Sequence, residues 1–182
     1  SNETPIEEYV KAKELGAVLN LDDITHIAFI DSQIGLPDTI SFRYNPGPLR
    51  GGNEIIGTPE EAKYGLTRAQ LFDAYRIAKE KGVTKFGIHT MIISNELNRE
   101  FFAETAKMMF ELIAEITEQV GITISFVNFG GGIGVPYKPE QEPVDLEALG
   151  QDVKALYEEM IVAKGLAPLK ICLECGRMIT GP

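Results

Sequence analysis

Three consecutive glycines, Gly130, Gly131 and Gly132, with a fourth at Gly134, follow directly on the run Ile124-Ser-Phe-Val-Asn-Phe129. With no Cβ in the way, such a run lets backbone amides close on a bound oxyanion, which makes it a candidate phosphate cradle. The alternative is a flexible turn. It is not the dinucleotide fingerprint, because the glycine spacing differs, Pro136 follows and no helix is expected over the next several residues. A second constellation, Glu174-Cys-Gly-Arg177, places a carboxylate and a guanidinium together at another strand end. The acid can serve a cationic ring nitrogen and the guanidinium an anionic group; a plain ion pair at the rim is the competing reading. Arg43, inside the run 39–44, needs a partner such as Glu174 if it points inward, and its alternation with Phe42 and Tyr44 leaves the face open. His89 ends a further strand, and the hydroxyl of Ser94 downstream is within range of a phosphate. His26 is expected on the surface.

These residues need elements to hold them. Apolar positions recurring every three or four residues predict helices over 5–15, 67–81, 98–120 and 146–164, with a helical turn over 22–32. Thr67 and Gln70 have capping-box spacing, and Gly82 and Gly121 stand where helices end. Short runs bounded by turn residues predict strands over 16–20, 39–44, 85–89, 124–129 and 170–174. The last four end at 44, 89, 129 and 174, in steps of 45, 40 and 45 residues. Unbroken alternation of strand and helix requires a parallel sheet with crossover helices. An open doubly wound sheet and a closed (β/α)8 barrel both satisfy this; functional residue types follow nearly every strand, which favours the barrel, where all strand ends gather at one mouth, over the open sheet, where ligands gather at one switch point. The expected fold is therefore α/β, residues 1–182 forming part of a TIM-like barrel that is incomplete at both ends.

With 182 residues, 44% hydrophobic and 24% charged, the composition is that of a globular protein able to bury a core. No apolar window reaches the roughly 18 residues of a spanning helix, and the start lacks a basic region leading into an apolar one, so the chain is expected in the cytosol. A formal charge of -10 weighs against nucleic acid and anionic membranes as partners. Cys172 and Cys175 have CxxC spacing, which can mark a redox dithiol or half a metal site. Residues three apart on a strand point to opposite faces, and no second pair or nearby histidine completes a ligand set, so both are expected as buried core thiols.

Taken in order, four segments resemble the pyridoxal-phosphate-binding barrel of the alanine-racemase-like (fold-type III) decarboxylases, diaminopimelate decarboxylase most closely. Phe42-Arg-Tyr-Asn-Pro-Gly47 is similar to the family's R-x-N-P segment, and Phe86-Gly-Ile-His89 through Ser94 to its G-L-H-x-H-x-G-S. Asn128-Phe-Gly-Gly-Gly-Ile-Gly134 with Tyr137 resembles G-G-G-x-G-x-x-Y, and Glu174-Cys-Gly-Arg177 resembles E-P-G-R. The resemblance implies that Gly130, Gly131 and Gly132 hold the phosphate of pyridoxal 5'-phosphate, with Arg43, His89, Ser94 and Gly176 in the same site. It implies that Glu174, the catalytic acid, bonds the pyridine nitrogen, and that Arg177 engages phosphate or a substrate carboxylate. A protonated ring is then the electron sink for the carbanion left when carbon dioxide departs.

Three departures stand out. Met91 takes the place of the family's second histidine, which is expected to stack on the ring; a thioether packs on a ring face but does not titrate. Ile93 replaces the glycine before Ser94, and Cys175 replaces a proline. The family's cofactor-carrying lysine on the first barrel strand and the catalytic cysteine of its carboxy-terminal β-domain have no counterparts here. The implied activity is that of a homodimeric enzyme converting meso-diaminopimelate to L-lysine, of which this chain is an inactive piece. A related ornithine, arginine or carboxynorspermidine decarboxylase, or a noncatalytic cofactor-binding barrel, are the alternatives.

Overall fold

The computed structural model describes residues 4–51, 61 and 64–181. Its elements run α1 (Ile6–Glu14), β1 (Leu19–Leu21), α2 (Thr25–Ile34), β2 (Thr39–Tyr44), α3 (Arg68–Glu80), β3 (Lys85–Thr90), α4 (Arg99–Val120), β4 (Ile124–Gly131), α5 (Leu146–Tyr157), β5 (Lys170–Glu174) and α6 (Gly176–Thr180). All five strands are parallel and lie in the order β1-β2-β3-β4-β5. An open doubly wound sheet reverses its order at a switch point. Here the order never reverses, so right-handed crossovers put the connecting helices α2, α3, α4 and α5 on one face, which is the arc of a barrel, while α1, ahead of β1, also borders the opposite face through Glu8 and Tyr9.

Local signals explain where the helices begin and end. The Thr67 hydroxyl accepts from the Gln70 amide, and the Gln70 side chain accepts from the Thr67 amide at 3.0 Å, completing the capping box of α3. Asn98 caps α4 through the Glu100 amide, and Gly121 closes it at φ 68, where a side chain is strained. Asp145 caps α5, whose last turn widens into a π-turn over Glu158–Val162.

Alternation along the strands divides the sheet into two faces. Ile40, Phe42 and Tyr44 of β2, Phe86 and Ile88 of β3 and Val127 of β4 point to the helices and are buried there with Leu71, Tyr75, Met109, Phe110 and Ile113. Tyr75 is fully buried and sets its ring edge-on to Phe42 and Phe86, with centroids 5.0 and 5.9 Å away. Its hydroxyl donates to the Gly87 carbonyl at 2.7 Å. That bond lies where β3 and β4 slip register between Phe86 and Gly87, and the Ser125 hydroxyl donates to the Phe86 carbonyl beside it. Two hydroxyls thus satisfy carbonyls at the irregularity. A second apolar cluster of Ile93, Phe102, Ile133, Val144 and Leu149 anchors the segments that follow β3 and β4.

Several expectations need correction. β1 is only three residues and begins at Leu19, because Gly16 at φ +67 and the exposed Ala17 and Val18 still belong to the turn out of α1. A short helix, α6, follows β5 and was not anticipated. Cys172 and Cys175 are free thiols and only half buried, since β5 has a neighbour on one edge alone among the described residues. Cys172 lies in register with Asn128, and Cys175 packs beside the second cluster. His26 is not a plain surface residue: it is half buried, with Nδ1 3.5 Å from the Asp22 carboxylate. After β2 the chain makes a 3₁₀ turn at Gly47–Leu49. Among the described residues no helix is long and apolar enough to cross a membrane, and no group of three or more His, Cys, Asp or Glu is placed to hold a metal ion.

The Tyr75 hydroxyl makes a buried bond, whereas Arg76 and Asp73 form an exposed pair at 2.9 Å on the same helix. Tyr75→Phe is expected to lower unfolding free energy by about 1–3 kcal/mol, because the Gly87 carbonyl loses its partner without access to water. Arg76→Ala should cost less than about 1 kcal/mol. Urea unfolding of the two variants checks both, and equal losses would contradict the assignment.

Candidate functional site

The face of the sheet turned away from the connecting helices carries polar side chains from all five strands, among them Asn20 of β1, Ser41 and Arg43 of β2, His89 of β3, Asn128 of β4 and Glu174 of β5. Pairing sets Arg43, His89 and Asn128 side by side in one row across β2, β3 and β4. Glu174 stands one pleat further along, opposite Gly131. A cavity of about 440 Å³ opens on this face, bounded by Asn20, Arg43, His89 and Glu174 and on its other side by Glu8, Tyr9 and Asp22. The sheet face that a closed barrel turns inward is therefore hydrophilic at its strand ends.

His89 is 7% exposed and its surroundings determine its protonation. Burial is the largest influence and lowers its pKa to about 4; the Arg43 guanidinium pushes the same way, while the Glu174 carboxylate opposes both. The ring is neutral at pH 7. Its Nε2 faces Glu174 Oε1, which only accepts, so the consistent tautomer carries the proton on Nε2 and takes the Asn20 amide at Nδ1, 3.0 Å away. Nε2 is buried without a hydrogen-bond partner, 3.5 Å from the carboxylate. Glu174 Oε1 instead accepts from the Asn128 amide at 2.9 Å. Arg43 is drawn below the usual guanidinium range by burial, against the opposing fields of Asp22, Glu174 and Tyr64. It donates to the Met91 carbonyl at 3.2 Å.

The glycine run is where three chain segments meet. A Cβ on Gly130 would strike the Thr90 carbonyl, one on Gly131 the Glu174 carbonyl and one on Gly132 the Ile93 carbonyl; Gly130 and Gly132 also have φ of +74 and +95. Only glycine meets both demands. The following residues are zipped to the segment after β3: the Glu96 amide donates to Gly132 and the Gly134 amide to Glu96, each at 2.8 Å. The Asn95 side chain accepts from Val135 at 3.1 Å. Ser94 lies in that segment, half buried beside the glycines. The Gly130 amide donates to Asn128 Oδ1 at 2.9 Å and the Gly131 amide to the Met91 sulfur at 3.2 Å.

These features bear on whether pyridoxal phosphate suits the face. A thioether is a weak acceptor, so a phosphate oxygen is the better partner for the Gly131 amide that Met91 now holds. Glu174 is half exposed and offers a carboxylate oxygen to a ring N–H, beside a neutral imidazole with a free buried N–H. The residues fit the group. Gly130, Gly131, Gly132, Arg43, His89 and Glu174, the residues that the resemblance implies, lie at neighbouring strand ends. Arg177 does not pair with Glu174: it donates to the Tyr137 hydroxyl at 2.8 Å, with its guanidinium over the Tyr137 ring. Gly176 opens α6 with free space at its Cβ position, so packing does not require a glycine there.

Sequence reasoning passed over Asn20, Asn128 and Asp22. Asn20 was detectable as a polar residue between two buried leucines on a strand, and Asn128 as a polar residue in the apolar run just before the glycines.

The chain matches, over residues 6–181, the family described as "Pyridoxal-dependent decarboxylase, pyridoxal binding domain". It is 32% identical to Protein TabA of Pseudomonas amygdali pv. tabaci over all of its own length and 42% of that protein's. It is 31% identical to a diaminopimelate decarboxylase of Methanothermobacter thermautotrophicus, covering 96% of this chain and 41% of the relative. Among solved structures, diaminopimelate decarboxylase of M. jannaschii in co-complex with L-lysine superposes with a TM-score of 0.80 at 25% identity, over 97% of this chain and 42% of that one. The Helicobacter pylori enzyme complexed with L-lysine gives 0.73 at 26%, over 93% and 42%. The chain thus spans about two fifths of the length of these relatives.

A histidine whose pKa is depressed to about 4 from 6.5 favours folding in its neutral form. Between these values the unfolded chain binds more protons than the folded one, so stability rises with pH there. The contribution is present above pH 6.5 and is lost as pH falls through about 4. NMR titration is expected to find one of the two histidines protonating near pH 4, and Glu174→Gln to move it lower still, since the carboxylate holds the value up. A His89 that titrates near 6.5 would contradict the buried, neutral ring.

Proposed function

Because this chain belongs to the pyridoxal-dependent decarboxylases, matching their pyridoxal binding domain along nearly its whole length, we propose that it is part of a diaminopimelate decarboxylase, which releases L-lysine and carbon dioxide from meso-diaminopimelate. The observation that carries the reading is Glu174, a half-exposed carboxylate bonded by Asn128 and flanked by neutral His89 on the same face as the glycine loop. Diaminopimelate decarboxylases recur among the relatives, and two solved relatives hold L-lysine.

Pyridoxal phosphate, when bound, supplies an electron sink for the carbanion left by loss of carbon dioxide. This chain's residues would do the rest of what is assigned to them. The amides of Gly131 and Gly132, in the loop that Gly130 turns, would bind the phosphate with the Ser94 hydroxyl, and Arg177 would engage phosphate or a substrate carboxylate. Glu174 would accept from the ring nitrogen and hold a proton on that atom, because an anionic acceptor favours the protonated ring. Arg43 and neutral His89 line the same face without competing for that proton. Met91 would pack against the ring face in place of an imidazole. Residues 1–182 are read as a piece of the cofactor-binding barrel of a cytoplasmic homodimer, whose remaining strands and β-domain bring the lysine, the cysteine and the distal substrate contacts.

Met91 favours a second reading. At the ring-stacking position a thioether replaces the family's histidine, and Protein TabA, a relative not named as a diaminopimelate decarboxylase, matches this chain at 32% identity. A decarboxylase of the same family acting on another amino acid accommodates both facts.

The full-length protein is expected to release carbon dioxide from meso-diaminopimelate and not from ornithine, arginine or carboxynorspermidine. Activity confined to one of the latter would replace the substrate and keep the reaction. Glu174→Gln is expected to retain the cofactor while turnover falls by two orders of magnitude or more, roughly the contribution of a well-placed electrostatic contact. Wild-type turnover in that variant would remove Glu174 from its role.

A further inference from the structure

We propose that Asn128 is a positioning residue which ties the glycine loop to the Glu174 carboxylate, so that one side chain sets both the phosphate contacts and the ring-nitrogen contact. The inference rests on the reading of this face as the pyridoxal phosphate site.

Strand β4 departs from regular pairing where the loop begins. Asn128 pairs with Cys172 and Gly131 with Glu174, so three steps along β4 face two along β5. The extra residue is absorbed around Gly130, whose φ of +74 turns the chain. A bulge of this kind takes a backbone group out of the ladder. Here Asn128 satisfies it, its Oδ1 accepting the Gly130 amide at 2.9 Å in a local turn. The other end of the same amide crosses to the next strand and donates to Glu174 Oε1, also at 2.9 Å.

Both ends of one planar group are therefore committed. Turning the amide over would set its oxygen against a carboxylate and its NH₂ against an N–H, so the orientation is fixed by charge as well as by distance. The position of Glu174 Oε1 relative to the Gly130 amide is then set by a single rigid unit. Glu174 is about half exposed and would otherwise choose among several rotamers. With Oε1 held by Asn128, Oε2 is left to take the ring N–H. The bulge that shapes the loop and the carboxylate that meets the ring become parts of one hydrogen-bonded assembly.

The test uses the full-length protein with pyridoxal phosphate as the probe, its affinity followed by fluorescence. Asn128→Ser keeps an oxygen able to accept the Gly130 amide but too short to reach Glu174. Asn128→Asp keeps the acceptor and sets a second carboxylate against Glu174. Each is expected to weaken cofactor binding about tenfold, as for loss of one charge-assisted bond. Asn128→Asp should also shift the pH at which the bound cofactor's absorbance changes. In a Glu174→Ala background, which has no side-chain oxygen for Asn128 to hold, the same substitutions should weaken binding by less than about threefold, because the route through residue 174 has gone. No binding by the wild-type protein would remove the reading of the site and the proposal with it. Wild-type binding with equal losses in both backgrounds, or an Asn128→Ser protein unchanged in affinity, would overturn the proposal alone. If melting shows that Asn128→Asp does not fold, the uncharged Asn128→Ser cycle decides by the same criterion.

Discussion

Alternation along five parallel strands sends apolar residues to the helices and polar ones to the opposite face, and every feature of the site depends on that division. Phe42, Ile88 and Val127 are buried against α3 and α4 because their neighbours Arg43, His89 and Asn128 point the other way. A slip of one residue in any strand would place a charge under the helices and an aliphatic chain among the polar groups. The hydrophobic core therefore fixes the register of the functional row.

On the polar face, the dominant electrostatic fact is that His89 is too well buried to take up a second proton and become charged at neutral pH. A charged imidazole there would compete with a ligand's ring nitrogen for the Glu174 carboxylate. A neutral one holds its place through Asn20 and leaves the acid to its other partners. Asn20 comes from β1 and Asn128 from β4, so amides from distant parts of the arc keep imidazole and carboxylate in fixed relation.

Much of this was legible in the sequence. The ranges of β2 and β5, the capping box at Thr67 and the alternation that demands a parallel sheet follow from short-range patterns, which the fold leaves intact. Glu174, His89, Arg43 and the glycines were recognisable because their residue types are unusual at strand ends. What escaped depends on distance in space. That Arg177 prefers Tyr137 to Glu174 follows from where α6 directs it, and no spacing encodes that. That the glycines are demanded by three carbonyls of neighbouring segments becomes visible only when β3, β4 and β5 are packed. The half-buried state of the two cysteines follows from the edge position of β5, a property of the sheet and not of the strand.

The strand order has a kinetic corollary. Each strand pairs with the one before it in the chain, so every sheet contact spans a single crossover and no strand waits for a partner from the far end of the sequence. Loop closure then has nearly the same modest entropic cost at each step. The pairings are still non-local, Phe42 with Ile88 and Ile88 with Val127, and such parallel pairing forms slowly beside helical contacts, but an arc ordered in this way can grow strand by strand as the chain leaves the ribosome. The site is built in that order as well, from Asn20 through Arg43, His89 and Asn128, and Glu174 joins the row last.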